Sequence, residues 1–121
     1  MKRDMDLVRQ ILLNAEAQGS GFTNTRLSVE SYTDEQIDYH AYLMWQAGLV
    51  EASDTSASDS PSPSAILHNL TWKGHDFLDA AKSNTVWEKA KEKAKSVGGA
   101  LAFDLLKELL VATARSQLEL G

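Results

Sequence analysis

The twelve residues SDTSASDSPSPS (Ser53 to Ser64) hold both prolines of the chain and no large apolar side chain. Such a stretch cannot bury enough surface to offset the entropy of ordering it, and it reads as a mobile loop. Before it stands AGLVEA, a glycine helix stop running into a strand, and after it AILHNLT (Ala65 to Thr71), a second strand. Two strands joined by a polar loop form a hairpin with a long tip. What flanks that hairpin decides the architecture.

Upstream, MDLVRQILLNAEAQ places Leu7, Val8, Ile11, Leu12 and Ala15 on one helical stripe. Asp4 and Asp6 suit the positive end of that helix, and GSGFTN (Gly19 to Asn24) is expected to end it. RLSVES alternates, with Leu27 and Val29 on one side, and predicts a short strand. Thr33-Asp34-Glu35-Gln36 then fits a capping box, with Tyr32 and Ile37 placed for a hydrophobic staple. The helix it opens should run to about Ala47 and stop at Gly48, with Ile37, His40, Ala41, Met44 and Ala47 facing inward.

Downstream of the hairpin, Thr71 can cap a helix over WKGHDFLDAAKS. Thr85-Val86-Trp87-Glu88 matches a second capping box, predicting a helix from Val86 to about Ser96 that Gly98-Gly99 ends. Trp72 and Trp87 read as packing anchors at these two helix starts. The last helix, expected from Ala100 to about Leu118, is apolar over more than half its circumference. Leu101, Leu105, Leu106, Leu109 and Leu110 carry that face, and Asp104, Lys107, Glu108 and Arg115 mark the polar side. A helix apolar over such a width packs on two things at once. It is a candidate for a dimer interface or for a lid on the core.

The expected fold is mainly α with a small β-hairpin wing (α+β): a winged helix-turn-helix-like core over residues 1–84, with a flexible wing loop at 53–64. A C-terminal helical extension over 85–121 packs on that core or forms a dimer. At this point the chain resembles a family, the bacterial and phage proteins called domain of unknown function 2513. The resemblance rests on MKRDMDLVRQILL, YHAYLMWQAGLVEA, LTWKGHDFLDAAKSNTVWEKAKEK and the glycine pair before the last helix. It implies a winged-helix-like core and frequent location near phage genes, and it brings no catalytic residues to carry over.

With 121 residues the chain is long enough for one domain's core, and its lack of cysteine excludes disulfides, thiolate zinc sites and a cysteine nucleophile. The N-terminal MKRDMDLVRQ has no apolar signal-peptide core, and no window approaches ~18 uninterrupted apolar residues. A soluble, cytoplasmic protein without membrane contact is therefore expected.

His40, His68 and His75 raise the question of a metal, but no H-x-x-x-H or H-E-x-x-H pair occurs. His40 falls among core positions, where a histidine satisfied by hydrogen bonds is the commoner finding. A triad drawn from His75, Asp76 and Ser83 fails because neighbours on one helix point ~100° apart. Neither glycine cluster matches a phosphate loop. No enzyme activity, metal or cofactor is expected.

The net charge of −5 is unevenly spread. Between Arg26 and Lys73 lie 46 residues (27–72) without one lysine or arginine, and they carry Glu30, Asp34, Glu35, Asp38, Glu51, Asp54 and Asp59. A winged helix commonly places its second helix in the major groove, and phosphate neutralisation supplies most non-specific affinity. This recognition-type helix and wing have no cation for that purpose. Glu35, Asp38, Tyr39, Tyr42 and Gln46 form the outward face of the helix. Tyrosines flanked by acids suit a protein-binding patch, although tyrosines packing under the wing is the plainer reading. The lysines lie elsewhere, at Lys82, Lys89, Lys91, Lys93 and Lys95. Glu88–Lys91 and Glu92–Lys95 pairs would make most of them a solvated helix face. A nucleic-acid contact through that edge would be electrostatic and would not read sequence. The leading expectation is a non-enzymatic module acting on an unidentified protein partner, its last helix forming either a homodimer contact or a lid on its own core. A winged-helix DNA-binding transcriptional regulator is the alternative.

Overall fold

In the computed structural model, residues 2–18, 27–59, 62–96 and 103–120 are described. Five helices and one two-stranded antiparallel sheet follow in the order α1 (Met5–Glu16), α2 (Asp34–Gln46), β1 (Val50–Asp54), β2 (Ala65–Leu70), α3 (Trp72–Ala81), α4 (Asn84–Ser96) and α5 (Phe103–Leu120). The fold is mainly helical α+β. Two compact units divide it, Met1–His75 and Asp76–Gly121, the division falling within α3.

In the first unit, α1 packs on α2 and β2, and α2 packs on both strands. The stripe read from the sequence is the buried one: Leu7, Val8, Ile11, Leu12 and Ala15 are all buried, with Met5 beside them. Asp4 caps α1, its Oδ1 accepting from the N–H groups of Asp6 and Leu7 at 2.9 and 3.3 Å. The helix ends on Ala17, whose N–H donates to Leu13 O, and the expected GSGFTN stop lies outside the described residues.

Leu27 and Val29 are buried, as their alternation suggested, but they do not form a strand. The segment turns too soon to pair. Tyr32 N donates to Val29 O, and Ser31 takes φ +74° to make that turn. Asn14 Nδ2 instead holds the extended segment through Ser28 O at 3.3 Å.

The Thr33 capping box forms as read, with Thr33 Oγ1 accepting from Gln36 N at 3.1 Å and Gln36 Oε1 accepting from Thr33 N at 2.8 Å. Ile37, His40, Ala41 and Met44 are buried, but Ala47 is exposed because it is already the C-cap. Gly48 N donates to Trp45 O and Leu49 N to Met44 O, the paired bonds of a Schellman motif, with Gly48 at φ +79°. Leu49 and Met44, the two positions whose apolar contact commonly accompanies such a motif, are both buried.

In the hairpin, Glu51 pairs with Asn69 and Ala52 with Leu67, so His68 is the extra residue of a β-bulge. The bulge shifts the burial phase: Ala65 and Leu67 face inward, and after it Leu70 does. Beyond the strands the base of the loop is laced by hydroxyls. Thr55 N donates to Ser64 O at 3.0 Å, and Ser64 N donates to Ser56 Oγ at 2.9 Å.

In the second unit, α4 packs on α5. Trp87 is 1% exposed and meets Phe77 edge to face, with ring centroids 6.4 Å apart. Val86, Ala90 and Ala94 continue the buried stripe of α4, and Leu106 and Leu110 are buried on α5. The second cap is not Thr85. Ser83 Oγ accepts from Val86 N at 3.3 Å and Ser83 O accepts from Trp87 N, so α4 starts at Asn84. Serine caps as well as threonine, and the earlier start gains helical residues. Gly98, Gly99 and Leu101 lie outside the described residues.

Candidate functional site

The outward face of α2 is the candidate surface. Glu35 and Gln46 are exposed, and Asp38, Tyr39 and Tyr42 are half-buried. Gln46 Nε2 donates to the Tyr42 hydroxyl at 3.1 Å, and the Tyr42 ring stands edge-on to Trp45 at 5.8 Å. Ser62 Oγ in the hairpin loop reaches Glu35 Oε1 at 3.4 Å. Trp45, 38% exposed, belongs to this face but was not singled out from the sequence. Its position three residues after Tyr42 was the available signal.

Beneath that face, His40 is held from both sides. Nδ1 donates to Gln36 O at 2.8 Å, which leaves Nε2 to accept from Asp4 N at 2.8 Å. The ring is therefore neutral with its proton on Nδ1. Burial pushes its pKa below the usual 6.5; the Gln36 carbonyl and Asp4 charge oppose this, while Arg3 adds to it. Asp4 Oδ2 meanwhile accepts from the Tyr32 hydroxyl at 2.9 Å. Burial, that hydrogen bond and the nearby Asp4 and Asp6 charges push the Tyr32 phenol up to about 12. The Asp4 carboxylate thus caps α1 and accepts from Tyr32, while the Asp4 backbone N–H donates to His40 on α2. These groups fix the helix behind the candidate surface and leave no free imidazole nitrogen on His40 for a ligand.

The start of α3 locks to the end of α2. Thr71 N donates to Leu49 O, Thr71 Oγ1 donates to Gly48 O, and Thr71 Oγ1 also caps Gly74 N at 3.1 Å. Lys73 Nζ donates to Ala47 O at 3.1 Å. Gly74 lies so close to Leu49 that any Cβ there would overlap the Leu49 carbonyl oxygen. This contact sets the rotation of α3, and Trp72, two residues earlier and ~200° around the helix, points away. Trp72 is 85% exposed, so it is not the packing anchor expected of it; Trp87 is.

The other histidines do not join His40. His68 Nε2 pairs with Ser53 Oγ at 2.6 Å across the exposed side of the hairpin, and His75 is exposed on α3. Among the described residues, no three of His, Asp and Glu gather where they could hold a metal. Ser83 of the drawn triad is occupied as the α4 cap.

Lys82, Lys89, Lys93 and Lys95 are exposed. Lys91 is half-buried, pairs with Glu88 at 3.4 Å and lies 5.9 Å over the Trp87 ring. On α5, Leu106 and Leu110 are covered and Leu105 and Leu109 are half-buried. Among the described residues no helix is long and apolar enough to cross a membrane.

A family model described as "Hypothetical protein (DUF2513)" matches residues 2–100. The chain belongs to the DUF2513 family. A relative from Haemophilus influenzae, described as "Uncharacterized protein", is 39% identical over 117 residues, covering 90% of this chain and 92% of its own. No solved structure matches this DUF2513 chain significantly. The matched span takes in the α2 face, the junction with α3 and the lysines of α4.

Proposed function

We propose that this DUF2513 chain is a winged-helix-like, non-enzymatic module that acts through protein contacts made by the outer face of α2. The observation that carries the reading is an aromatic surface carried by a stretch of sequence that holds acids and no lysine or arginine. Tyr42 and Trp45 pack together at the surface, within 46 residues (27–72) that hold no lysine or arginine. Glu35, Asp38, Tyr39 and Gln46 complete the face. A groove-reading helix needs cations beside it to hold register on phosphates, whereas tyrosine and tryptophan anchor protein interfaces.

The α5 stripe carries the second part of the proposal, a homodimer contact or a lid, through its half-buried Leu105 and Leu109. A purified chain that sediments as a monomer at high concentration would remove the dimer. The alternative, a DNA-binding transcriptional regulator, draws on the exposed Lys82, Lys89, Lys93 and Lys95 together with Lys91. Affinity capture from the native host, with and without nuclease, separates the two. A partner retained after nuclease supports the protein reading, and recovered DNA that is lost with nuclease contradicts it.

A further inference from the structure

Leu105, Leu109, Ala112 and Ser116 follow one another on α5 at i, i+4, i+7 and i+11, the spacing of a coiled-coil seam. α4 packs on α5, and among the described residues of α5 the buried ones are Leu106, Leu110 and Thr113. The seam lies roughly a quarter turn around the helix from that buried side. It is left open: Leu105 and Leu109 are half-buried, and Ala112 and Ser116 are exposed.

The charges beside the seam complement each other. Glu108 and Arg115 are both exposed and stand seven residues apart, on the same edge of the seam. Among the described residues, neither has an ion-pair partner. Let a second α5 run antiparallel with Leu109 opposite Ala112 of the copy; Leu105 then falls opposite Ser116. In that register Glu108 of each copy comes within ~3 Å, along the helix axis, of Arg115 of the other. The two-fold axis makes this contact twice. A parallel pair in register would set Glu108 beside Thr113, which carries no charge, so only the antiparallel arrangement uses both ions. It also brings opposite ends of the two helix dipoles together.

Building on the reading that α5 offers a homodimer contact, we propose that α5 pairs antiparallel with α5 of a second copy of this chain. The seam of Leu105, Leu109, Ala112 and Ser116 is closed by two Glu108–Arg115 ion pairs between the copies. The leucines of one helix fill the space left by the small Ala112 and Ser116 of the other. The ion pairs set the orientation and the register.

The test is sedimentation equilibrium of the full-length chain up to millimolar concentration, with the wild type beside three variants. Arg115→Glu sets like charges against each other at both ends of the seam and should weaken self-association about tenfold. Glu108→Arg combined with Arg115→Glu restores opposite charges in the same register and should recover the wild-type affinity. Ala112→Asp places a carboxylate against Leu109 of the copy and should abolish the dimer. All three positions are exposed, so every variant should keep the wild-type circular dichroism. A chain that stays monomeric throughout overturns the proposal together with the homodimer reading and leaves the lid. A dimer that Arg115→Glu and Ala112→Asp leave unchanged overturns this pairing alone, and the homodimer reading stands. A double reversal no tighter than Arg115→Glu likewise overturns the register proposed.

Discussion

The imidazole Nε2 of His40 accepts the backbone N–H of Asp4 at 2.8 Å, joining the start of α1 to the middle of α2 across 36 residues of sequence. That bond requires a neutral ring, because a protonated Nε2 would be a donor facing a donor. The burial that lowers the His40 pKa therefore works in the same direction as the hydrogen bond.

Stability should accordingly fall in mild acid. Unfolded histidine binds its proton near pH 6.5, and the folded ring does so only at lower pH. Between those two values the unfolded state holds more protons, so unfolding becomes easier as pH drops. The contribution is complete above about pH 6.5. His40→Gln should cost roughly 1–3 kcal/mol, the range for stranding a buried partner. Thermal melts across this pH range should show a shallower acid slope for the variant than for the wild type. Equal slopes would place the acid sensitivity in other groups.

Tyr32 governs the opposite limit. Its phenol is pushed up to about 12 from 10.0 by burial and by the bond to Asp4. The unfolded chain gives up this proton first, so stability should decline as pH rises between those values. Absorbance titration should show a late tyrosinate step that Tyr32→Phe removes. The same variant should lose about 1 kcal/mol at neutral pH, the usual worth of one hydrogen bond.

The two described glycines at the α2–α3 junction should respond differently to alanine. Gly48 needs its positive φ but has open space where a Cβ would stand, so Gly48→Ala should cost about 1 kcal/mol from backbone strain alone. Gly74→Ala drives a methyl into the Leu49 carbonyl and should cost roughly 3 kcal/mol or more, with α3 displaced from α2. Denaturant midpoints of the two variants give the comparison. Similar costs would mean that the close approach relaxes easily.

A matched pair of tryptophan variants separates packing from display. Trp87→Ala removes a ring that is 1% exposed and should cost about 3–5 kcal/mol. Trp72→Ala removes one that is 85% exposed and should stay within ~0.5 kcal/mol. Equilibrium unfolding of both variants checks this, and a large loss at Trp72 would assign it to the fold after all.

Periodicity made most of the fold legible in the sequence. The α1 stripe, the Thr33 box and β2 stand where apolar spacing and cap chemistry placed them, whereas β1 runs on through Ser53 and Asp54, which their polar composition assigned to the loop but which pair with Ile66 and Ala65. What periodicity could not reveal was contact across the chain. Leu27 and Val29 alternate like a strand, but the Ser31 turn leaves them no pairing partner. Trp72 looks like an anchor until the Gly74–Leu49 approach fixes the rotation of α3. The bulge at His68 changes which residues of β2 face inward, and no local signal marks it. At the candidate surface, Glu35 and Gln46 were legible as outward from the helical wheel. Trp45 stands three residues after Tyr42 on the same helical face, a spacing that the sequence already carries.

The central claim is that α2 and its surroundings meet protein and do not meet DNA. Mobility-shift titration of mixed-sequence duplex at moderate salt tests it most directly, with the wild-type chain beside a variant in which Lys89, Lys91, Lys93 and Lys95 are neutralised. The account predicts no retarded species for either protein. Retardation by the wild-type chain that the neutralised variant loses would contradict it.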